Sequence, residues 1–249
     1  HWMVHSFPTR RSSDLITRTS VDKAALTLRF ISDYCEEADM VVVLGDLFDF
    51  YHGYDGYVYP WYRTIVDCLK GLVERGKSVV FLEGNHEFAM GRYFEEYTGV
   101  TCAVEMSLDV DGKKVFLAHG DGFANLSLAR LLKQPFFYRI MDLLGPGLTW
   151  RVVSLVRPFL SRRSKKYSEV VRDIFRSRAR RKLAEGYDVV ILGHSHIPDI
   201  LEVGAGPAEK RYLNTGDLAT YASFVTYETS TGFSLRTIGP GESKKSGPR

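Results

Sequence analysis

The chain has 249 residues, of which 45% are hydrophobic, 13% aromatic and 25% charged. This composition is typical of a globular protein and excludes the collagen-like, disordered and coiled-coil classes. Cys35, Cys68 and Cys102 show no CxxC spacing and are too few for a disulfide framework, which favours a reducing compartment. No apolar run approaches the roughly 20 residues that span a bilayer. The net charge is only +3, but it is unevenly distributed.

Residues 1–14 show neither periodicity nor a helix-cap signal, and we expect a non-native or disordered leader there. Residues 15–238 are predicted to form one domain. The last segment, 239–249, consists of Gly, Pro, Ser and charged residues and is predicted to be a flexible tail.

Short apolar runs and helical stripes alternate along the predicted domain. Three of these runs have the pattern of strands buried on both faces: 40–44, 78–82 and 189–192. Asp111-Gly112 divides an alternating segment and predicts a two-residue hairpin. A helical region over 124–183 interrupts the strands, and the remainder to residue 238 is rich in strands. We therefore predict an α/β (α+β) sandwich of two mixed β-sheets flanked by helices, with 124–183 as a helical lid insertion.

Polar side chains follow the predicted strands. Asp46, Asn85 and His194 each come after a glycine that ends a strand, His119 directly follows a fourth strand, and His196 lies two residues beyond His194. Taken singly, an aspartate after glycine is usually a turn residue, and a lone histidine is usually a surface or core group. Since functional loops gather beyond the carboxyl ends of strands in α/β sheets, the whole set favours one shared rim.

The residue types on this rim indicate a metal site. Mixed oxygen and imidazole ligands without thiolate suit Mn²⁺, Fe²⁺ or Zn²⁺. A carboxylate such as that of Asp46 can bridge two cations, and a two-metal site activates water and clamps a phosphoryl group.

Four motifs in this order resemble those of the calcineurin-like metallophosphoesterase superfamily: Gly45-Asp46-Leu47-Phe48-Asp49, Gly84-Asn85-His86-Glu87, His119-Gly120-Asp121 and Gly193-His194-Ser195-His196. The resemblance implies two divalent metal ions, Mn²⁺ first, with Fe²⁺ or Zn²⁺ as alternatives. It also implies that Asp46 bridges both ions, that Asn85, His119 and His194 complete one metal site, and that His196 contributes to the other.

The resemblance further implies that His86 and Asp49 are catalytic residues. His86 would act on the phosphoryl oxygen or the leaving group, oriented by the carboxylate of Asp49. A carboxylate that holds one ring nitrogen fixes the tautomer of the imidazole and favours its charged form. The alternative for Asp49 and Glu87 is that both are simple solvated loop acids.

One motif of the superfamily is missing. The family opens with a strand that ends in Asp-x-His, and no Asp-x-His lies upstream of Asp46 in this sequence. We therefore expect that the first strand has been lost or replaced, that the sheet lacks a central strand, and that one metal site is two ligands short.

The predicted lid is strongly basic. Residues 151–182 contain twelve Lys or Arg and two acids, a local charge of +10 that leaves −7 for the rest of the chain. Together with the apolar residues before and within it, this region favours an amphiphilic phosphorylated substrate at an anionic membrane face. One alternative is a helical hairpin that packs on the sheet with a solvated basic side. Nucleic acid is a less favoured partner because aliphatic side chains dominate where stacking aromatics would be expected.

Four features carry a narrower resemblance: Gly-Asp-Leu-Phe-Asp-Phe at 45–50, His-Gly-Asp-Gly at 119–122, the helical region before Gly-His-Ser-His at 193–196, and Asn-Thr-Gly-Asp at 214–217. Within the superfamily, this arrangement resembles the bacterial UDP-2,3-diacylglucosamine pyrophosphohydrolases of lipid A synthesis. That resemblance implies a cytoplasmic enzyme, peripherally associated with the inner membrane, that yields UMP and 2,3-diacylglucosamine 1-phosphate. Candidate phosphate partners in the lid are Arg162, Arg163, Lys165 and Lys166. His86 stands where some members carry arginine, so a broader phosphodiesterase acting on cyclic nucleotides or other phosphodiesters remains an alternative. A further alternative is a catalytically impaired binding protein with the same fold.

Overall fold

A computed structural model describes residues 2–5, 21–121, 133–160, 168–204, 206, 209–218 and 220–238. The strands are β1 (Trp2–His5), β2 (Met40–Val43), β3 (Tyr51–His52), β4 (Ser78–Leu82), β5 (Glu87–Phe88), β6 (Thr101–Ala103), β7 (Glu105–Val110), β8 (Lys113–Ala118), β9 (Val189–Leu192), β10 (Pro198–Val203), β11 (Lys210–Thr215), β12 (Ser223–Glu228) and β13 (Gly232–Thr237). The α-helices are α1 (Val21–Tyr34), α2 (Arg63–Glu74), α3 (Arg92–Thr98), α4 (Pro135–Leu160) and α5 (Ser168–Ala184).

The first sheet has six strands in the order β13-β12-β1-β2-β4-β6. Strands β1, β2, β4 and β6 are parallel, and β12 and β13 are antiparallel to their neighbours. Side chains alternate along β2: Val41 and Val43 pack with the residues of α1 and α2, whereas Val42 packs toward the second sheet. Because both faces are covered, the strand reads as a continuous apolar run.

The second sheet has five strands in the order β10-β11-β9-β8-β7. Its inner face packs on the first sheet through a shared apolar layer that includes Leu44, Leu82, Leu117 and Ile191. Its outer face is covered by α5, whose Phe175 packs in the same cluster as strand residues of β8, β9 and β11. The layers are therefore helix, sheet, sheet and helix, and the predicted class of two mixed sheets flanked by helices is confirmed.

The prediction that the sheet lacks a central strand is wrong. Residues Trp2–His5 form β1, which lies inside the first sheet between β12 and β2. The register pairs Met3 with Val41 of β2 on one side and with Thr226 of β12 on the other. Met3 is buried. The sheet therefore does not lack its central strand, and the leader predicted over 1–14 contains this element.

The other predicted elements are found where the sequence places them. Asp111 and Gly112 join β7 to β8, and both have positive φ values, 50° and 77°, as the inferred hairpin turn requires. In the region 124–183 the structure describes α4 and α5, and α5 packs on the outer face of the second sheet. Residues 122–132 and 161–167 lie outside the described residues, and so does the tail 239–249. Among the described residues, no helix combines the length and apolarity needed to cross a membrane.

The parallel strands of both sheets bring their carboxyl ends to one edge of the sandwich. In the first sheet β2 leads to Asp46 and β4 leads to Asn85, while in the second β8 leads to His119 and β9 to His194. The ring Nδ1 of His119 lies 2.5 Å from the carbonyl oxygen of Leu44, which ties the two sheets together at this edge. Four loops from two sheets thus converge on one place.

Candidate metal centre

Asp46, His119 and His194 form the centre of this convergence. Each offers one ligand atom, and the three atoms lie within 4.8 Å of one another. Asp46 and His119 are buried, whereas His194 is half-buried. The side-chain oxygen of Asn85 joins them, 3.2 Å from His119 Nε2.

His119 shows why this cluster suits a cation. Its Nδ1 donates to the Leu44 carbonyl, so in the neutral ring Nε2 carries a lone pair. That atom lies 2.9 Å from His194 Nδ1 and 3.2 Å from Asp46 Oδ2. Ligands that share one cation at bond lengths of about 2.0–2.2 Å lie about 3 Å apart. The donor set and its spacing therefore fit a divalent metal ion.

The backbone at three of the candidate ligands is strained. Asp46, His194 and His196 have φ values of 56°, 58° and 56°, in the left-handed region that residues other than glycine rarely adopt. Such strain costs on the order of 1–3 kcal/mol per residue and concentrates at functional sites, where the surrounding structure enforces it.

The electrostatics separate the cluster into neutral and charged groups. Burial opposes ionisation of Asp46, but the imidazoles of His119 and His86 hold the pKa of its carboxyl well below the usual range. Burial likewise opposes the charged form of His119, yet Asp46 raises the pKa of that ring to about 9. Burial and the neighbouring His119 lower the pKa of His194 to about 4, and burial lowers the pKa of His196 to about 3. His194 and His196 are thus neutral at pH 7, as metal ligands must be, whereas His119 would release a proton on binding a metal ion.

His196 lies beside the central group. The centroid of its ring is 6.5 Å from that of His194, and it is not one of the three residues whose ligand atoms lie within 4.8 Å. The negative charge of Asp46 partly offsets the effect of burial on the pKa of His196. The two side chains are therefore close enough to interact electrostatically. Its assignment to a second metal ion stays a prediction.

His86 and Asp49 are adjacent, but their contact differs from the one expected. His86 Nδ1 lies 2.7 Å from the backbone carbonyl oxygen of Asp49. The ring therefore contacts the main chain of Asp49, whereas a contact with its carboxylate was predicted. The backbone N–H of His86 donates to Asp46 Oδ1 at 3.2 Å, which ties the candidate catalytic histidine to the candidate bridging ligand. Asp49 is buried, which contradicts its alternative interpretation as a solvated loop acid.

Two further residues at this edge have no role in the sequence-based predictions. Lys133 Nζ lies 2.5 Å from the carbonyl oxygen of Gly84 and 3.4 Å from Asp121, which places a cation at the rim of the cluster. No sequence signal marks this lysine. The side chain of Asn214 donates to the carbonyl of Gly193, the residue before His194, at 2.9 Å. Its place in the polar segment Asn214-Thr-Gly-Asp after the last histidine motif was the available signal.

Helix α4 is anchored beside the centre by His52. The buried ring of His52 contacts the Phe88 carbonyl through Nδ1 and Asp142 of α4 through Nε2, at 2.6 and 2.8 Å. The hydroxyl of Tyr54 donates to the backbone carbonyl of Met141. The candidate phosphate partners Arg162, Arg163, Lys165 and Lys166 lie outside the described residues.

A two-sheet sandwich that holds aspartate, asparagine and histidine ligands beyond its strand ends is the arrangement of a metallophosphoesterase. The chain belongs to the calcineurin-like phosphoesterase family, whose profile matches residues 13–198.

Curated relatives and a solved structure show further similarity. A protein of Vibrio cholerae named UDP-2,3-diacylglucosamine hydrolase is 28% identical over 222 residues, which cover 86% of this chain and 90% of that protein. One of Aeromonas salmonicida with the same name is 30% identical over 204 residues, covering 79% and 80%. Among solved structures, an archaeal phosphodiesterase aligns over 95% of this chain and 99% of its own, with 13% identity and a TM-score of 0.47. The family assignment rests on the profile match.

We predict that His119→Ala and Asp46→Asn weaken Mn²⁺ binding at least about 100-fold, because loss of partners that merely support ligands already costs about 10–100-fold. Calorimetric titration of the ion-stripped protein with Mn²⁺ measures the effect. His52→Ala is the matched control: it removes a buried histidine outside the cluster and should leave Mn²⁺ affinity unchanged. Equal affinities for all four proteins would contradict this assignment of ligands.

Proposed function

We propose that the protein hydrolyses the pyrophosphate of UDP-2,3-diacylglucosamine to UMP and 2,3-diacylglucosamine 1-phosphate. The observation that carries this proposal is the position of an apolar helix beside a phosphoesterase site. Lys133, two residues before α4 begins, contacts the carbonyl of Gly84 in the loop that also carries Asn85. A substrate with a phosphate at the metal centre and acyl chains along α4 fits this juxtaposition.

The proposed centre holds two divalent metal ions, with Mn²⁺ favoured because the ligands are oxygen and imidazole nitrogen. Asp46, Asn85, His119 and His194 would hold one ion. His196 would join Asp46 at the second, which lacks the two ligands of an Asp-x-His motif. When bound, the ions activate water and neutralise charge on the phosphoryl oxygens. The protein's own part is to fix the ligands: the Leu44 carbonyl orients His119, and burial keeps His194 and His196 neutral.

His86 is proposed as the proton-transferring residue. Its Nδ1 is engaged by the Asp49 carbonyl, which leaves Nε2 as the atom that exchanges a proton with the departing phosphate oxygen. His86 is half-buried and therefore reachable from solvent. Asp49 acts on it as a positioning residue through its main chain. Histidine can transfer a proton where arginine can only clamp phosphate.

Helix α4 is kinked at Gly145, whose φ of 69° is not helical, and both of its halves carry apolar residues on two sides. Its inner side, with Tyr138, Met141, Trp150 and Val153, packs on the main core, and the ring of Trp150 lies 4.5 Å from that of Trp61. Its outer side exposes several large apolar residues: Phe136, Ile140, Leu143, Leu144, Leu148, Val152, Leu155 and Val156. A helix that is hydrophobic all round normally has an apolar partner on each side.

We propose that this outer face of α4 meets an anionic inner-leaflet membrane surface, which would place the protein in the cytoplasm in peripheral association with the inner membrane. The +10 charge of residues 151–182 complements anionic lipid. Arg162, Arg163, Lys165 and Lys166 belong to this segment and stay candidates for contact with the substrate phosphates.

We predict Mn²⁺-dependent release of UMP from UDP-2,3-diacylglucosamine, and much slower release from UDP-glucosamine without acyl chains. The acylated substrate gains binding energy of about 0.8 kcal/mol for each CH₂ group buried along the lid. Product formation is followed by chromatography at matched substrate concentrations.

Variants distinguish the alternatives in that assay. His86→Ala should lower kcat about 10²–10⁴-fold while Mn²⁺ affinity is retained, because general acid catalysis contributes that factor. Equal rates on acylated and deacylated substrates would argue for a broader phosphodiesterase, for which bis(p-nitrophenyl) phosphate and cyclic AMP are the probes. Mn²⁺ binding without turnover of any of these would indicate an impaired, ligand-binding phosphoesterase.

We predict that the double variant Leu143→Asp/Leu155→Asp loses most binding to vesicles containing phosphatidylglycerol, since both side chains are more than two-thirds exposed on α4. Co-sedimentation with vesicles measures the bound fraction. Val104→Asp is the control, because Val104 is an apolar residue that is 64% exposed but lies between β6 and β7, away from α4. Undiminished vesicle binding by the double variant would exclude α4 as the membrane face.

A further inference from the structure

Glu87 is the most completely buried acid beside the metal centre. It begins β5 and its side chain is 0% exposed. Its Oε2 accepts the backbone N–H groups of Asp46 and Gly84 at 2.9 and 2.8 Å, and its Oε1 accepts that of Phe48 at 3.2 Å. Three backbone donors therefore converge on one carboxylate.

These donors belong to the two loops that carry metal ligands. Asp46 and Phe48 lie in the loop after β2, and Gly84 lies in the loop after β4, next to Asn85. A carboxyl group that accepts hydrogen bonds from the backbone of both loops fixes the distance between them. It also holds the N–H of Asp46, whose backbone is in the left-handed region.

Glycine makes this close approach feasible. A Cβ at Gly45 would overlap the backbone of Gly84, and a Cβ at Gly84 would overlap both Asp46 and Glu87. The two loops thus contact each other through their main chains, and the side chain of Glu87 lies where they meet. Among the described residues, the candidate metal-binding group consists of Asp46, His119 and His194 and does not include Glu87.

We propose that Glu87 is a positioning residue that sets the spacing of Asp46 and Asn85 and so determines the metal affinity of the centre. This inference rests on the metal centre of the proposed function. A purely structural role would lower stability in proportion to the hydrogen bonds lost and would leave the metal affinity of the folded protein unchanged.

The test is calorimetric titration of ion-stripped Glu87→Gln with Mn²⁺. The amide has the shape of the carboxylate, but its NH₂ group faces at least one backbone N–H and cannot accept a hydrogen bond from it. Because residues that orient metal ligands typically contribute about 10–100-fold to affinity, Mn²⁺ should bind that much more weakly. Excess Mn²⁺ should restore release of UMP from UDP-2,3-diacylglucosamine, since His86 and the ligands are unchanged.

Two controls separate positioning from stability. Glu83→Gln alters an acid of the same loop that accepts the backbone N–H of Met90 and none from the loop of Asp46. Phe233→Leu weakens the apolar layer at β13, near the edge of the first sheet. Both should bind Mn²⁺ as the unaltered protein does, even where thermal unfolding shows a lower Tm.

Every outcome decides the proposal. Unchanged affinity of folded Glu87→Gln overturns it and leaves the metal centre standing, whereas failure of the unaltered protein to bind Mn²⁺ overturns both. If Glu87→Gln does not fold, Glu87→Asp replaces it: the charge is kept, but the side chain is one CH₂ too short to reach both loops, and weaker Mn²⁺ binding is expected. If neither variant folds, the carboxylate is a requirement of the fold and the proposal is wrong.

Discussion

The site depends on one electrostatic constraint, the meeting of electron-rich atoms at a buried edge of the sandwich. His119 Nε2 faces three such atoms: Asp46 Oδ2, Asn85 Oδ1 and a ring nitrogen of His194. The other ring nitrogen of His119 donates its proton to the Leu44 carbonyl. Such a group is unfavourable in a low-dielectric interior unless positive charge lies among its members. The raised pKa of His119 expresses that demand through a proton, and a divalent cation meets it more fully.

Much of this arrangement could be predicted because it follows from local pattern. The strands β2, β4 and β9 are covered on both faces and therefore read as uninterrupted apolar runs. Parallel strands leave the sheet at the same edge, so polar residues after their ends were expected to meet. The Asp111-Gly112 hairpin follows from the positive φ values that this turn demands.

What the sequence could not reveal depends on distant partners. The strand β1 has only four residues, and its place in the sheet depends on its pairing with β2 and β12. His52 and Asp142 are 90 residues apart, and the ring of His86 contacts a main-chain carbonyl that no residue identity encodes. The three bonds to Glu87 likewise depend on how closely two loops approach, and the approach depends on Gly45 and Gly84.

The central claim is that loops from both sheets hold a divalent cation in common. Anomalous diffraction at the manganese edge, from crystals grown with Mn²⁺, tests it most directly. The account predicts a peak about 2.0–2.3 Å from the ligand atoms of Asp46, Asn85, His119 and His194. A fully loaded crystal with its manganese elsewhere, or with these four side chains too far apart to share one ion, would contradict it.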